Sequence, residues 1–152
     1  MGLENEILQS KFRNNFQKGA VNIIYTYHWL SEQMKAIFSK QDITSQQFNI
    51  LRILRGANKP LSTLQIRQRM LDKMSDTSRI VDRLVIKGMV TKNISPADKR
   101  MVDVTITHKG QEVLHEIDKY ESQMDDIMKN LSEKEAETLN FLLDKLRSPD
   151  KY

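Results

Sequence analysis

Residues 62–106 read STLQIRQRMLDKMSDTSRIVDRLVIKGMVTKNISPADKRMVDVTI, and the order of periodicities in this stretch decides the fold. Ser62 followed by Gln65 is a capping box: the hydroxyl accepts from a first-turn N–H while the glutamine reaches back to the cap. It opens a short helix with Leu64, Ile66 and Met70 as apolar positions. After the turn Met70-Leu71-Asp72-Lys73-Met74, Ser75 is placed to cap a second helix from Asp76, whose charge suits a first turn. Thr77, Val81, Leu84 and Val85 form its apolar face, with Ile80 at the edge, and Gly88 stops it. The period then changes from 3.6 to 2. Val90, Lys92 and Ile94 precede Ser95-Pro96-Ala97-Asp98-Lys99-Arg100, and Val102, Val104 and Ile106 follow. Two short helices and a hairpin with a basic tip make a winged helix-turn-helix.

In such a unit the second helix enters the major groove and meets base edges near its N-terminus. Its outward face offers Ser75, Asp76, Ser78, Arg79, Asp82, Arg83 and Lys87. Arg79 and Arg83 stand four apart on one face, and an arginine fork can hold guanine or clamp a phosphate. Two readings are open for them: DNA contact, or pairing with Asp76 and Asp82 on a solvated helix. The basic hairpin behind them favours DNA. The expected DNA contacts are Ser62, Thr63, Lys73, Ser75, Thr77, Ser78, Arg79, Arg83 and Lys87 from the helices, with Asp98, Lys99 and Arg100 from the wing.

The flanks are helical. Phe16, Ala20, Ile23, Tyr27, Leu30, Met34 and Ile37 step by three and four, the mark of a long amphipathic helix. Thr44 with Gln47 is another capping box, opening a helix through Phe48, Leu51 and Leu54 that Gly56 is expected to end. Beyond the hairpin, Val113, Ile117, Tyr120, Met124, Ile127 and Leu131 predict one helix of about 28 Å. Ser132 with Glu135 caps a last helix carrying Leu139, Leu142, Leu143 and Leu146. Ser148-Pro149-Asp150-Lys151-Tyr152 reads as a tail. The near-3.5 period of the 113–131 stripe favours helix-on-helix packing, with a second chain as the favoured partner and an intramolecular helical bundle as the alternative. Val113, Ile117, Tyr120, Met124, Ile127, Leu131, Leu139, Leu142 and Leu146 are the expected dimerisation residues. The fold class is therefore mainly α with a small β-hairpin wing. Residues 1–43 are an N-terminal dimerisation segment, 44–110 the winged helix-turn-helix and 111–152 a C-terminal dimerisation segment.

Charge agrees with this division. The chain of 152 residues has a net charge of +4, unevenly spread. Residues 52–110 hold thirteen Lys or Arg against five Asp or Glu; residues 111–152 hold six against eleven. A basic centre beside an acidic end is the footprint of a polyanion-binding module. There is no cysteine, so sensing through a thiol is excluded, and a reducing cytoplasm suits the composition. No secretory leader and no transmembrane run is expected. His28, His108 and His115 lack the i, i+4 spacing of a helical zinc pair, Asp125 and Asp126 point apart on a helix, and no phosphate loop or nucleophile with a base is present. No cofactor, metal or enzymatic activity is expected.

Ser75-Asp76-Thr77-Ser78-Arg79-Ile80-Val81-Asp82-Arg83-Leu84 with Lys87-Gly88-Met89-Val90 resembles the recognition helix of the multiple antibiotic resistance regulator (MarR) family. Pro96-Ala97-Asp98-Lys99-Arg100, followed by Val104-Thr105-Ile106-Thr107-His108-Lys109-Gly110, resembles its wing with the Asp-x-Arg tip. The likeness is specific over residues 61–114 and architectural outside them. Asp76 stands where the family commonly has a small hydroxyl residue, and its charge speaks against a phosphate contact there. The resemblance implies a bacterial or archaeal homodimer that represses nearby genes from a palindromic operator and is released by a small aromatic or anionic effector. Tyr27, Trp29 and Phe48 stand where such a ligand would lie, although core packing explains each of them as well. The contrasting function is a winged-helix module for protein assembly without specific DNA binding.

Overall fold

The structure is a computed structural model that describes residues 2–149, so the end of the expected tail, residues 150–152, lies outside the described part. The chain divides into two compact units, one up to Asp118 and one from Lys119. The first unit runs α1 (Leu3–Glu6), α2 (Asn15–Phe38), a 3-10 turn (Ser39–Gln41), α3 (Ser45–Ala57), β1 (Leu61–Ser62), α4 (Thr63–Arg69), α5 (Thr77–Ile86), β2 (Val90–Ile94), β3 (Val102–Ile106) and α6 (His108–Asp118).

Local chemistry sets most boundaries. Both capping boxes of this unit form as expected, Thr44 with Gln47 and Ser62 with Gln65. The N-cap of α5 is Asp76 rather than Ser75; its carboxylate accepts the Arg79 N–H at 3.2 Å. Helix α3 continues through Gly56 to Ala57 and is capped two residues later than expected, at Asn58, which takes the left-handed conformation (φ 52°). Asparagine tolerates that region better than most residues. Gly88, at φ 73°, does terminate α5.

The hairpin is the expected one, with Val90 opposite Ile106 and Ile94 opposite Val102. A third strand was not expected. Leu61 and Ser62 pair antiparallel with Val104 and Asp103, giving the order β1-β3-β2. The core gathers Ile50, Leu51, Leu54, Leu61, Ile66, Leu84, Val104, Leu114 and Ile117, all at 2% exposure or less. Each such side chain contributes about 1.5–3 kcal/mol of transfer free energy. Helix α6 fits tightly at Gly110, where a Cβ would collide with the Met89 carbonyl oxygen and the Ile106 side chain.

The long helix predicted over 113–131 is broken. Helix α6 stops at Asp118, and the second unit begins with a separate short helix, α7 (Glu121–Asp126). Val113 and Ile117, expected at a dimer interface, are buried in the first unit, at 8% and 1% exposure. In the second unit the Ser132–Glu135 capping box opens α8 (Glu133–Arg147). No residue of α8 is buried, and Phe141, Leu142 and Leu146 are more than half exposed. No helix among the described residues is long and apolar enough to cross a membrane.

Candidate nucleic-acid interface

Helix α5 turns Thr77, Val81 and Leu84 into the core, so its opposite side must face out. Arg79 and Arg83 occupy that side and are exposed. The pairing with Asp76 and Asp82 does not occur. Asp82 pairs with Lys92 of β2 at 2.8 Å, and Asp76 takes the backbone N–H of Arg79. Among the described residues both guanidinium groups are left without an intramolecular partner. Ser78 lies exposed beside them, and Thr63 is half-buried at the start of α4.

The wing tip is built around one carboxylate. Asp98 Oδ1 accepts the Arg100 N–H at 3.0 Å and its Nε–H at 3.2 Å, while Oδ2 accepts from Nη2 at 3.3 Å. These bonds, side chain first and backbone second, hold the Asp98 carboxyl below its usual pKa of 3.8. The Arg100 side chain remains 90% exposed. Lys99 is exposed next to it. The turn is closed by the Met101 N–H donating to the Asp98 carbonyl at 3.0 Å and the Ser95 N–H to the Met101 carbonyl at 2.9 Å.

Several expected contacts have other duties. The Ser62 side chain is buried and caps α4. Thr77 is buried, with its hydroxyl unpaired. The Ser75 hydroxyl donates to the Asp72 carbonyl at 2.7 Å, and Lys73 Nζ to the Gln68 carbonyl. Lys87 Nζ donates inward, to Gln47 Oε1 at 3.0 Å and to the Asp42 carbonyl. In all five the polar group is buried or engaged within the chain.

Other residues escaped the sequence reading. Asn49 of α3 accepts the Leu71 N–H at 2.9 Å and so pins the turn between α4 and α5. A cavity of about 480 Å³ between α4 and the start of α5 is lined by Arg67, Leu64 and Met74, with Thr63 and residues 75–78. Only the i, i+4 spacing of Arg67 from Thr63 could have singled it out. The three candidate ligand residues do not line that cavity. Phe48 stacks on Phe38, ring centroids 4.4 Å apart, whereas Tyr27 makes an edge contact with His28 and is 63% exposed. Trp29 is 44% exposed. No cluster of three or more metal-ligating side chains occurs among the described residues.

The sequence profile of the MarR family matches residues 41–101, from the end of the 3-10 turn to the wing. The multiple antibiotic resistance protein MarR of Escherichia coli K12 is 32% identical over 110 residues, covering 71% of this chain and 76% of that protein. The chain belongs to the MarR family. Its fold is that of the family's solved members. A MarR variant from E. coli, crystallised with operator DNA, superposes with a TM-score of 0.82 at 26% identity, over 91% of this chain and all of that one. An organohalide-sensing transcriptional regulator in its 2,4-dichlorophenol-bound form shares the fold at a TM-score of 0.82 and 18% identity, over 95% of this chain and 96% of that one. The family and these relatives are transcription regulators.

Proposed function

We propose that this MarR-family chain binds a palindromic operator in double-stranded DNA as a homodimer and regulates transcription, acting as a repressor that a small aromatic or anionic effector releases. The observation that carries this reading is the pair of unpartnered guanidinium groups, Arg79 and Arg83, on the outward side of α5, with neighbouring Asp82 neutralised by Lys92. A helix whose anions are paired elsewhere and whose arginines are free is prepared for a polyanion. Thr63, Ser78, Arg79, Arg83, Lys99 and Arg100 are the proposed DNA contacts, with Asp98 orienting Arg100. The apolar face of α8 supports a dimer, because Phe141, Leu142 and Leu146 have no core of their own to enter. Tyr120, Met124, Ile127, Leu131 and Leu139 remain the other proposed interface residues, and residues 1–43 and 111–152 the proposed dimerisation segments around the winged helix-turn-helix. Tyr27, Trp29 and Phe48 are the proposed effector contacts. We assign the chain no reaction and place it in the cytoplasm, with the DNA it reads.

Fluorescence anisotropy on duplexes from the regions upstream of the neighbouring genes tests this function. Affinity should fall linearly with salt on logarithmic axes and should exceed that for scrambled duplex. Phenolic and aromatic carboxylate compounds should weaken it, because they favour the conformation that does not bind. Equal, weak affinity for every duplex would instead favour a protein-assembly module.

A further inference from the structure

Asp76 is an anomaly on the surface just described. It is exposed, it sits at the N-cap of α5, and it shares a face with Arg79 and Arg83 at i, i+3 and i+7. Nearby carboxylates have been dealt with: Asp82 by Lys92, Asp98 by Arg100, and Asp72 by the Met74 N–H at 3.0 Å and Gln46 at 3.4 Å. Asp76 has no paired cation among the described residues. One oxygen caps the helix through the Arg79 N–H, and the other has no partner among the described residues.

A free carboxylate oxygen beside DNA is repelled by phosphates, so it is tolerated only where it meets a donor. In the major groove the donors are the exocyclic amino groups of cytosine and adenine. Adenine carries the N7 acceptor beside its amino group, whereas guanine N7 and O6 and thymine O4 are acceptors only. Residues at the start of a recognition helix are those that reach base edges. We propose that Asp76 is a specificity-determining residue whose free carboxylate oxygen accepts the N4 amino group of one cytosine in each operator half-site and disfavours the bases that offer only acceptors. This rests on the DNA-binding function proposed above. The same charge lowers affinity for DNA that lacks the cytosine, so the residue acts by rejection as much as by attraction.

The cap and the base contact can be separated, because Asp, Asn and Ser cap a helix about equally well. Asp76→Asn and Asp76→Ser should therefore melt close to the parent chain. The experiment is selection of bound duplexes from a randomised library by the full chain and both variants, followed by anisotropy on the enriched sites. The parent should enrich cytosine at one position per half-site, with a preference on the order of ten-fold. Asp76→Ser should lose that preference and bind random duplex more tightly. Asp76→Asn should move it toward adenine, whose N6 and N7 suit an amide. Identical base profiles for all three proteins would overturn the proposal and leave Asp76 as a cap alone. Failure of the parent to enrich any sequence would overturn the DNA-binding function itself, and with it the proposal.

Discussion

Arg55 of α3 grips Asp118, the last residue of α6, with two parallel hydrogen bonds of 2.8 and 3.2 Å. The pair is about one-third exposed and closes the first unit at the residue where that unit ends. Fork geometry makes it stronger than an ordinary surface pair, while partial solvation keeps it modest. A double-mutant cycle with Arg55→Ala and Asp118→Ala, read by urea denaturation, should give a coupling of about 1 kcal/mol.

Lys87 and Arg83 lie four residues apart but should behave differently. Lys87 Nζ is bound inward to Gln47 and Asp42, so Lys87→Ala should lower the melting temperature and leave the salt slope of DNA binding unchanged. Arg83→Ala should leave the melting temperature nearly unchanged and reduce the slope by about one per protomer. Anisotropy across a salt series, paired with calorimetry, separates the two.

Arg79 and Arg100 should divide specificity from general affinity. Arg100→Ala removes an exposed cation at the wing tip and should weaken binding to all sequences alike. Arg79→Ala should cost about 1–3 kcal/mol per half-site on the preferred duplex and less on scrambled DNA.

The Asp98–Arg100 contact has a defined pH dependence. The Asp98 pKa is lowered on folding, so the contact is fully present above 3.8 and is lost as pH falls through the still lower folded value. Across neutral pH it is constant. The Arg100 Nε–H resonance should therefore hold its shift from pH 7 to pH 5 and move only below pH 3.8. In Asp98→Asn the shift should already differ at pH 7.

Assembly is best probed on α8. Phe141→Glu with Leu142→Glu puts charge on an exposed apolar face, and sedimentation should show a folded monomer in place of a dimer. Ile117→Glu should instead unfold the chain, because that side chain is 1% exposed inside the first unit and would bury an unpaired charge. Circular dichroism distinguishes the outcomes.

What was legible in the sequence was what depends on near neighbours. Three capping boxes, the apolar face of α5 and the alternation of the hairpin all follow from residues within a turn or a strand of each other. The break after Asp118 was hidden because residues 113–131 contain neither glycine nor proline, so nothing interrupts the period. Strand β1 was hidden because two residues cannot display alternation. The site failed at a longer range. Lys87 looked like another outward cation, and its true acceptors lie 40 and 45 residues earlier in the chain. Asp82 looked like a helix partner for Arg83, and Lys92 reaches it from the next strand. Charge patterns along a helix name candidates; only the packing of other elements decides which charges remain available.

Ser62 joins two parts of the reading head: its backbone pairs with Asp103 of β3, while its hydroxyl caps α4. The wing and the helix pair thus share a seam and cannot slide past each other. On the DNA contacts proposed above, the distance between α5 and Arg100 becomes a fixed gauge, like the gap of a caliper. Within one half-site, a single inserted base pair between those two points should abolish simultaneous engagement, however well each point matches its own sequence.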